Sequence, residues 1–237
     1  MYKYLMFLGL IVLGCAEIKP SANMTADRKM QIADDFFQKE KYHKAVPFYS
    51  DLVFERNSIF TAEAQIKLAN CYFSQNKFME ARFEYDELMR LFPDSEYAEY
   101  AQFQVGVCYF NEAQTAQYTQ EETKMSIAIF DSFFEKFAYS EYTKDAIDYI
   151  RKCQYRLLKK KYHNGYIYFK LFDYSSALMY FDEIIELGNN DNLDKMSRYY
   201  KILISHKREE DVTQMTNSFL GKYPKSKEAG KIIKNIK

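Results

Sequence analysis

A small residue and a set of aromatics recur along this chain at regular intervals, and that recurrence limits the fold more than any other feature. Aligned on Ala45, Ala81, Ser126, Ala177 and Val212, the residues four positions on are Tyr49, Tyr85, Phe130, Phe181 and Thr216. Three further on stand Leu52, Leu88, Phe133, Ile184 and Phe219. Upstream of the first four anchors lies a second small residue, Ala33, Ala69, Gly106 and Gly165, with an aromatic three positions later: Phe36, Tyr72, Tyr109 and Tyr168. Ala45 and Ala81 are 36 residues apart, Ala177 and Val212 35. Apolar positions three and four residues apart within such a period read as pairs of α-helices. Small residues at the crossing let two antiparallel helices approach, and aromatics fill the gaps between successive pairs. No pair can bury its apolar stripe alone, so the pairs must stack. With 7 Gly and 4 Pro in 237 residues, the chain lacks the breakers that an all-β sandwich or barrel needs.

The pattern resembles the tetratricopeptide repeat. Its best copy is the second, with Leu68-Ala69, Tyr72, Ala81, Tyr85, Leu88 and Pro93; Pro224 closes the fifth, while Asn57, Ala138 and Asn189 stand in the proline slot elsewhere. The resemblance implies an all-α solenoid of about five helical hairpins; an irregular helical bundle is the alternative. Two departures shape the domain plan. Tyr109 and Ser126 are eight residues further apart than Tyr72 and Ala81, and the extra segment near Glu112 to Glu122 is polar, which predicts a longer connection inside the third pair. The stretch from Ala138 to Gly165 is also too long for one repeat, and Ala146, Ile150, Cys153 and Leu157 keep helical spacing. One helix from about Thr143 to Leu171 is expected, roughly 40 Å long at 1.5 Å per residue. It would join an N-terminal subdomain, 27–142 with repeats one to three, to a C-terminal one, 143–237 with repeats four and five.

The N-terminus reads MYKYLMFLGLIVLGC. Lys3 precedes an apolar run from Leu5 to Leu13, too short for the ~20 residues a membrane span requires but suited to a secretory signal. Val12-Leu13-Gly14-Cys15 resembles the lipobox of bacterial lipoproteins. That implies a signal peptide over 1–14, lipidation of Cys15 and a tether over 15–26; a plain signal peptide with a chance cysteine is the other reading. Ala16 follows, so an inner-membrane retention signal is not evident. Acylation of Cys15 would leave Cys71, Cys108 and Cys153, an odd number. All lie in helical patterns beside apolar residues, so buried free thiols are expected, with a Cys71–Cys108 bridge as the alternative.

Chemistry-bearing motifs are missing. His43, His163 and His206 are scattered, and there is no H-E-x-x-H, Gly-rich phosphate loop or G-x-S-x-G. Neither an enzyme, a cofactor nor a metal is expected. Equal numbers of acidic and basic residues, 33 of each, argue against an unselective nucleic-acid binder. Binding is the remaining class. Four residues after each small anchor of the first helices stand Phe37, Phe73, Phe110 and Phe169, with Ile204 in the fifth copy; one residue after it stand Asp34, Asn70, Val107 and Tyr166. Either the rings pack on a neighbouring helix, or they form a ladder in a groove that receives peptide side chains. Two basic tracts are a solvated face or a partner contact: Arg151, Lys152, Arg156 and Lys159–Lys161, and the last stretch from Gly221, with six lysines and one glutamate.

The order of parts, with the stretches Tyr72 to Phe110 and Phe137 to Cys153, resembles the BamD family, the lipoprotein subunit of the outer-membrane β-barrel assembly machinery. The resemblance implies a scaffold held by its lipid on the periplasmic face of the outer membrane. Partners would be a BamA-like POTRA/β-barrel protein, unfolded outer-membrane proteins and other assembly lipoproteins. Phe37, Phe73 and Phe110, with Asn70 and Val107, would lie on the substrate side; Tyr166, Phe169, Arg198 and Lys201 would lie on the partner side. The short polar insertion and the degenerate fifth copy depart from the family. Another repeat-built envelope adaptor and a carbohydrate-import lipoprotein are the competing classes; the latter should expose Trp, and the chain has none.

Overall fold

The computed structural model describes residues 19–56 and 59–236. The signal segment, Cys15, the first part of the tether and Asn57 lie outside the described residues. The elements are α1 (Ala26–Gln38), α2 (Tyr42–Glu55), α3 (Thr61–Ser74), α4 (Phe78–Leu91), α5 (Ala98–Glu112), α6 (Glu121–Lys136), α7 (Thr143–Lys170), α8 (Tyr174–Glu186), α9 (Asn192–Lys207), α10 (Thr213–Lys222) and α11 (Lys227–Asn235). No strand occurs among the described residues.

From α1 to α9 each helix packs on the next in chain order. The interior is a row of small cores, each shared by three successive helices. Ala33, Tyr49 and Leu68 anchor the first and Ala69, Tyr85 and Val105 the second. Phe103, Phe130 and Ala146 anchor the third. Phe181 and Ile204 follow, and then Ile202, Phe219 and Ile232. This is the nearest-neighbour arrangement of a solenoid. The anchors act as their size predicts: Ala33, Ala45, Ala69, Ala81 and Ala177 are fully buried, and a Cβ on Gly106 would stand 2.6 Å from the Phe130 ring. Cys71, Cys108 and Cys153 are buried and unbridged.

The hairpin turns explain the register. Four hairpins close on a residue with positive φ: Glu40, Asn76, Phe172 and Glu209. In each, the next amide donates to the carbonyl five residues back: Lys41 to Phe36 at 2.8 Å, Lys77 to Tyr72 at 3.0 Å, Asp173 to Tyr168 at 3.0 Å and Glu210 to Ser205 at 3.0 Å. This is the Schellman closure of a helix C-terminus. Counting back from Glu209 corrects the fifth copy. Its anchor position holds Ile202, and the counterpart of Phe169 is His206. Ile204 is instead buried against Ala177 and Phe181.

Position and hydroxyl are matched across the hairpins. Tyr49 donates to Asp34 Oδ1 at 2.6 Å, and Tyr85 to Asn70 Oδ1 at 2.6 Å. Where the first helix carries Val107 or Tyr166 at that position, the second helix carries Phe130 or Phe181. In the first two hairpins the buried Tyr hydroxyl is thus satisfied by an acceptor on the facing helix.

α7 runs from Thr143 to Lys170, 28 residues. Ala146, Tyr149 and Ile150 close the third core, and Tyr162, Tyr168 and Phe169 open the fourth. One continuous helix therefore ends one stack and starts the next.

Glu84 faces the groove between α2 and α4, beside the exposed Phe83. Burial, then the charge of Glu87, pushes its carboxyl up to about 7 from 4.5, against the hydrogen bond that Gln65 donates to it. The folded chain then holds a proton that the unfolded chain has released. Stability should fall as pH rises from about 4.5 to about 7. Glu84→Gln is expected to flatten that part of the pH profile and to raise the melting midpoint at about pH 8, read by thermal melts across the range. An unchanged slope in the variant would assign it to another group.

Candidate functional site

The Phe positions are covered one by one from within their own hairpins. Phe37 packs edge-on against Tyr42 at 5.4 Å and Phe73 against Phe78 at 5.4 Å, while Phe169 lies tilted against Tyr174 at 6.1 Å. In each case the partner is the first residue of the next helix, five positions on, and all three rings are half-buried. They do not form a continuous exposed ladder. Val107, at 3 % exposure, belongs to the third core and offers no surface to a ligand. Asn70 spends its side-chain oxygen on Tyr85 and, at 3.3 Å, on Tyr100.

Phe110 differs because of the insertion. Five residues on stands Thr115, in the loop between α5 and α6, so no aromatic of its own hairpin covers the ring. It meets the edge of Tyr149 on α7 at 5.0 Å. The Arg156 guanidinium lies 4.4 Å from its ring centre and donates to the Phe110 carbonyl at 3.0 Å. The loop is built rather than loose. Gln120, 5 % exposed, donates to the carbonyls of Thr115, Tyr118 and Thr119 at 3.0, 3.2 and 3.0 Å and accepts from Thr123 at 3.0 Å. Lys160 donates to the Gln117 carbonyl at 3.0 Å.

Between this loop and α7 lies a groove of about 600 Å³. Phe110 and the loop form one wall; Lys152, Tyr155, Arg156, Lys159, Tyr162 and His163 form the other. Among the described residues no carboxylate lines it. Lys152 sits over the Tyr149 ring at 4.8 Å and Lys159 over Tyr155 at 4.9 Å. Burial pushes the hydroxyls of Tyr155 and Tyr162 up, so they remain neutral donors and the groove's charge is that of its cations. The basic tract was visible as a run. The stripe it forms with Tyr155, Tyr162 and His163 was not singled out, although spacings of three, four and seven along a helix carry that signal.

The C-terminal candidates separate into two places. Tyr166 and Phe169 join an aromatic cluster centred on Tyr200, at 5.5 and 4.8 Å. Arg198 and Lys201 come together in a cavity of about 220 Å³ among α8, α9 and α10. Each already pairs, Arg198 with Asp194 at 2.9 Å and Lys201 with Asp182 at 2.7 Å. Among the described residues no group of His, Cys, Asp and Glu could hold a metal ion, and no helix is long and apolar enough to cross a membrane.

A sequence model of the YfiO family, described as an outer membrane lipoprotein, matches residues 23–190. The chain belongs to this family. It is the BamD family domain, so the resemblance read from the order of parts holds. The match contains the whole Phe110 groove, whereas Arg198 and Lys201 lie beyond it. Among curated proteins, no sequence matches significantly. Solved structures include the tetratricopeptide-repeat domain of P58(IPK), with a TM-score of 0.47 and 14 % identity over 86 % of this chain and 53 % of that one. A tetratricopeptide repeat protein from Parabacteroides merdae gives 0.40 and 12 %, over 87 % and 72 %. The chain spans about half the length of the first of these. As a YfiO-family chain it belongs with outer membrane lipoproteins, and it is built of stacked helical pairs.

Proposed function

We propose that the chain is held by lipidated Cys15 on the periplasmic face of the outer membrane, where it captures unfolded outer-membrane proteins and passes them to a BamA-like barrel protein through that partner's POTRA domains. The observation that supports the capture step is Phe110, the one ring of its set with no aromatic cover from its own hairpin, which lines a groove large enough for several peptide residues. Apolar burial on Phe110, Tyr155 and Tyr162 supplies the affinity, and neighbouring cations set orientation. A folded barrel hides its strands, so only an unfolded chain fits; no bond is made or broken. Phe37 and Phe73 support this face by holding the hairpins that precede it. The C-terminal repeats, with Tyr166, Phe169, Arg198 and Lys201, form the partner side, together with contacts to other assembly lipoproteins.

The test is affinity purification of the tagged full chain from detergent-solubilised envelope. A large POTRA-containing barrel protein and nascent outer-membrane proteins are expected to copurify. Phe110→Ser should reduce the nascent proteins by about tenfold, the loss of one well-buried aromatic anchor, and should retain the large partner with helical circular dichroism intact. Recovery of a division or peptidoglycan assembly in place of the barrel protein would reject this reading.

A further inference from the structure

Resting on the reading of the α7 groove as a peptide site, we infer that it selects extended segments carrying acidic side chains at alternate positions beside an aromatic. Lys152, Arg156 and Lys159 fall on one stripe of α7, four and three residues apart. Among the described residues none of them pairs with a carboxylate, whereas their neighbours do: Arg151 with Asp148 at 3.3 Å and Lys161 with Glu183 at 2.5 Å. The three unpaired cations face the groove and the paired ones flank it. In a chain with no net charge, this is a local excess, with no acidic side chain on the opposite wall among the described residues.

Spacing decides between an extended peptide and a single phosphate or headgroup. From Lys152 to Lys159 the helix rises roughly 10 Å at 1.5 Å per residue. Side chains on one face of an extended strand recur every ~6.7 Å, so two carboxylates on alternate residues span most of that stripe. A lone phosphate would need the three cations to converge on one point, and they are strung along a line. The residue between the acids points the other way along an extended strand, toward the wall that Phe110 and the loop form. The carbonyls of Phe110 and Gln117 are already occupied by Arg156 and Lys160, which leaves the groove richer in donors than in acceptors.

The experiment uses the full chain in detergent and two labelled ten-residue peptides that share a central Phe. One has Asp on alternate positions and the other Asn. Fluorescence anisotropy is expected to show the Asp peptide bound about tenfold more tightly, with the advantage shrinking as salt rises, since exposed charge pairs are screened. In Lys152→Gln/Lys159→Gln, checked for helical content, the ratio of the two affinities should approach one. The salt dependence of the native chain tests the same point without any substitution. Equal binding of both peptides to the native chain overturns this inference and leaves the peptide reading standing. Binding of neither overturns the peptide reading itself. Binding to phosphatidylglycerol vesicles but to neither peptide would overturn both in favour of a membrane surface.

Discussion

Gly106→Val is expected to destabilise the chain by about 3 kcal/mol, lowering the unfolding midpoint by roughly 6–12 °C for a chain of this size. Gly106 sits in the middle of α5, where glycine costs a helix up to ~1 kcal/mol relative to alanine. It is present because the Phe130 ring of α6 occupies the space a side chain would need. Even a Cβ would stand 2.6 and 2.7 Å from two ring carbons. Phe130 cannot retreat: it is fully buried, stacked on Tyr149 at 5.6 Å and tilted against Phe103 at 5.8 Å. The hydroxyl of Ser126 donates to the Gly106 carbonyl at 2.9 Å, fixing the approach of the two helices.

The control lies in the same chain. Gly230, inside α11, has nothing within 4 Å of an added Cβ, so Gly230→Ala should stabilise by up to ~1 kcal/mol through helix propensity alone. Opposite signs for the two glycines, read by thermal melts, would show that steric closeness and not backbone freedom explains Gly106. Partial rescue of Gly106→Ala by Phe130→Leu would locate the collision. If Gly106→Val melts like the native chain, the tight α5–α6 crossing is wrong. Because Phe110 lies on the same helix, the damaged crossing should also loosen the groove.

The parts of the fold legible in the sequence are those set by steric anchors. Ala33, Ala69 and Gly165 can each only be small, and their spacing from the next anchor defined both hairpins and the limits of α7 to within a residue. The fifth copy was misread because its sterics are different: Ile202 replaces the small residue, and Glu209 stands three residues from Val212 where Glu40 stands five from Ala45. No period survives those two changes, whereas the positive φ of Glu209 restores the register. The site was half legible. The Phe ladder stood out in sequence, but its cover did too, since Tyr42, Phe78 and Tyr174 each follow a ladder Phe by five residues. Thr115 in that slot marks Phe110 as the exception. What spacing could not supply is the loop's return to α7, because that depends on Gln120 holding three loop carbonyls at once.

Asp194→Ala is expected to unfasten the C-terminal end of the solenoid while leaving the first three repeats intact. The Asp194 side chain is completely buried. It accepts from Arg198 at 2.9 Å, Lys222 at 2.9 Å and the Tyr223 hydroxyl at 2.5 Å, tying α9 to the end of α10. Burial alone would raise its carboxyl; Arg198, Tyr223 and Lys222 outweigh that and hold it below the usual range. An acid whose folded value is depressed stabilises the fold above its unfolded value and loses that contribution as pH falls through the folded one. The last repeats should therefore melt first on acidification below about pH 4, where an ordinary Asp begins to protonate. Removing the carboxylate strands two cations and a hydroxyl, at a cost of about 3 kcal/mol, the low end for breaking a buried ionic contact because both cations remain partly solvated. In a nearest-neighbour stack that loss stays local. Hydrogen exchange should thus show α10 and α11 losing protection at neutral pH, with α1 to α6 unchanged and a smaller acid step left in that region, from Asp211 and Glu228, whose carboxyls are also held low. Uniform loss across all helices would mean that the two halves unfold as one body. The same variant frees Arg198 from its anchor beside Lys201, so retention of the large barrel partner should weaken while peptide capture at Phe110 persists. Loss of both together would place the two surfaces under a single control rather than at opposite ends of α7.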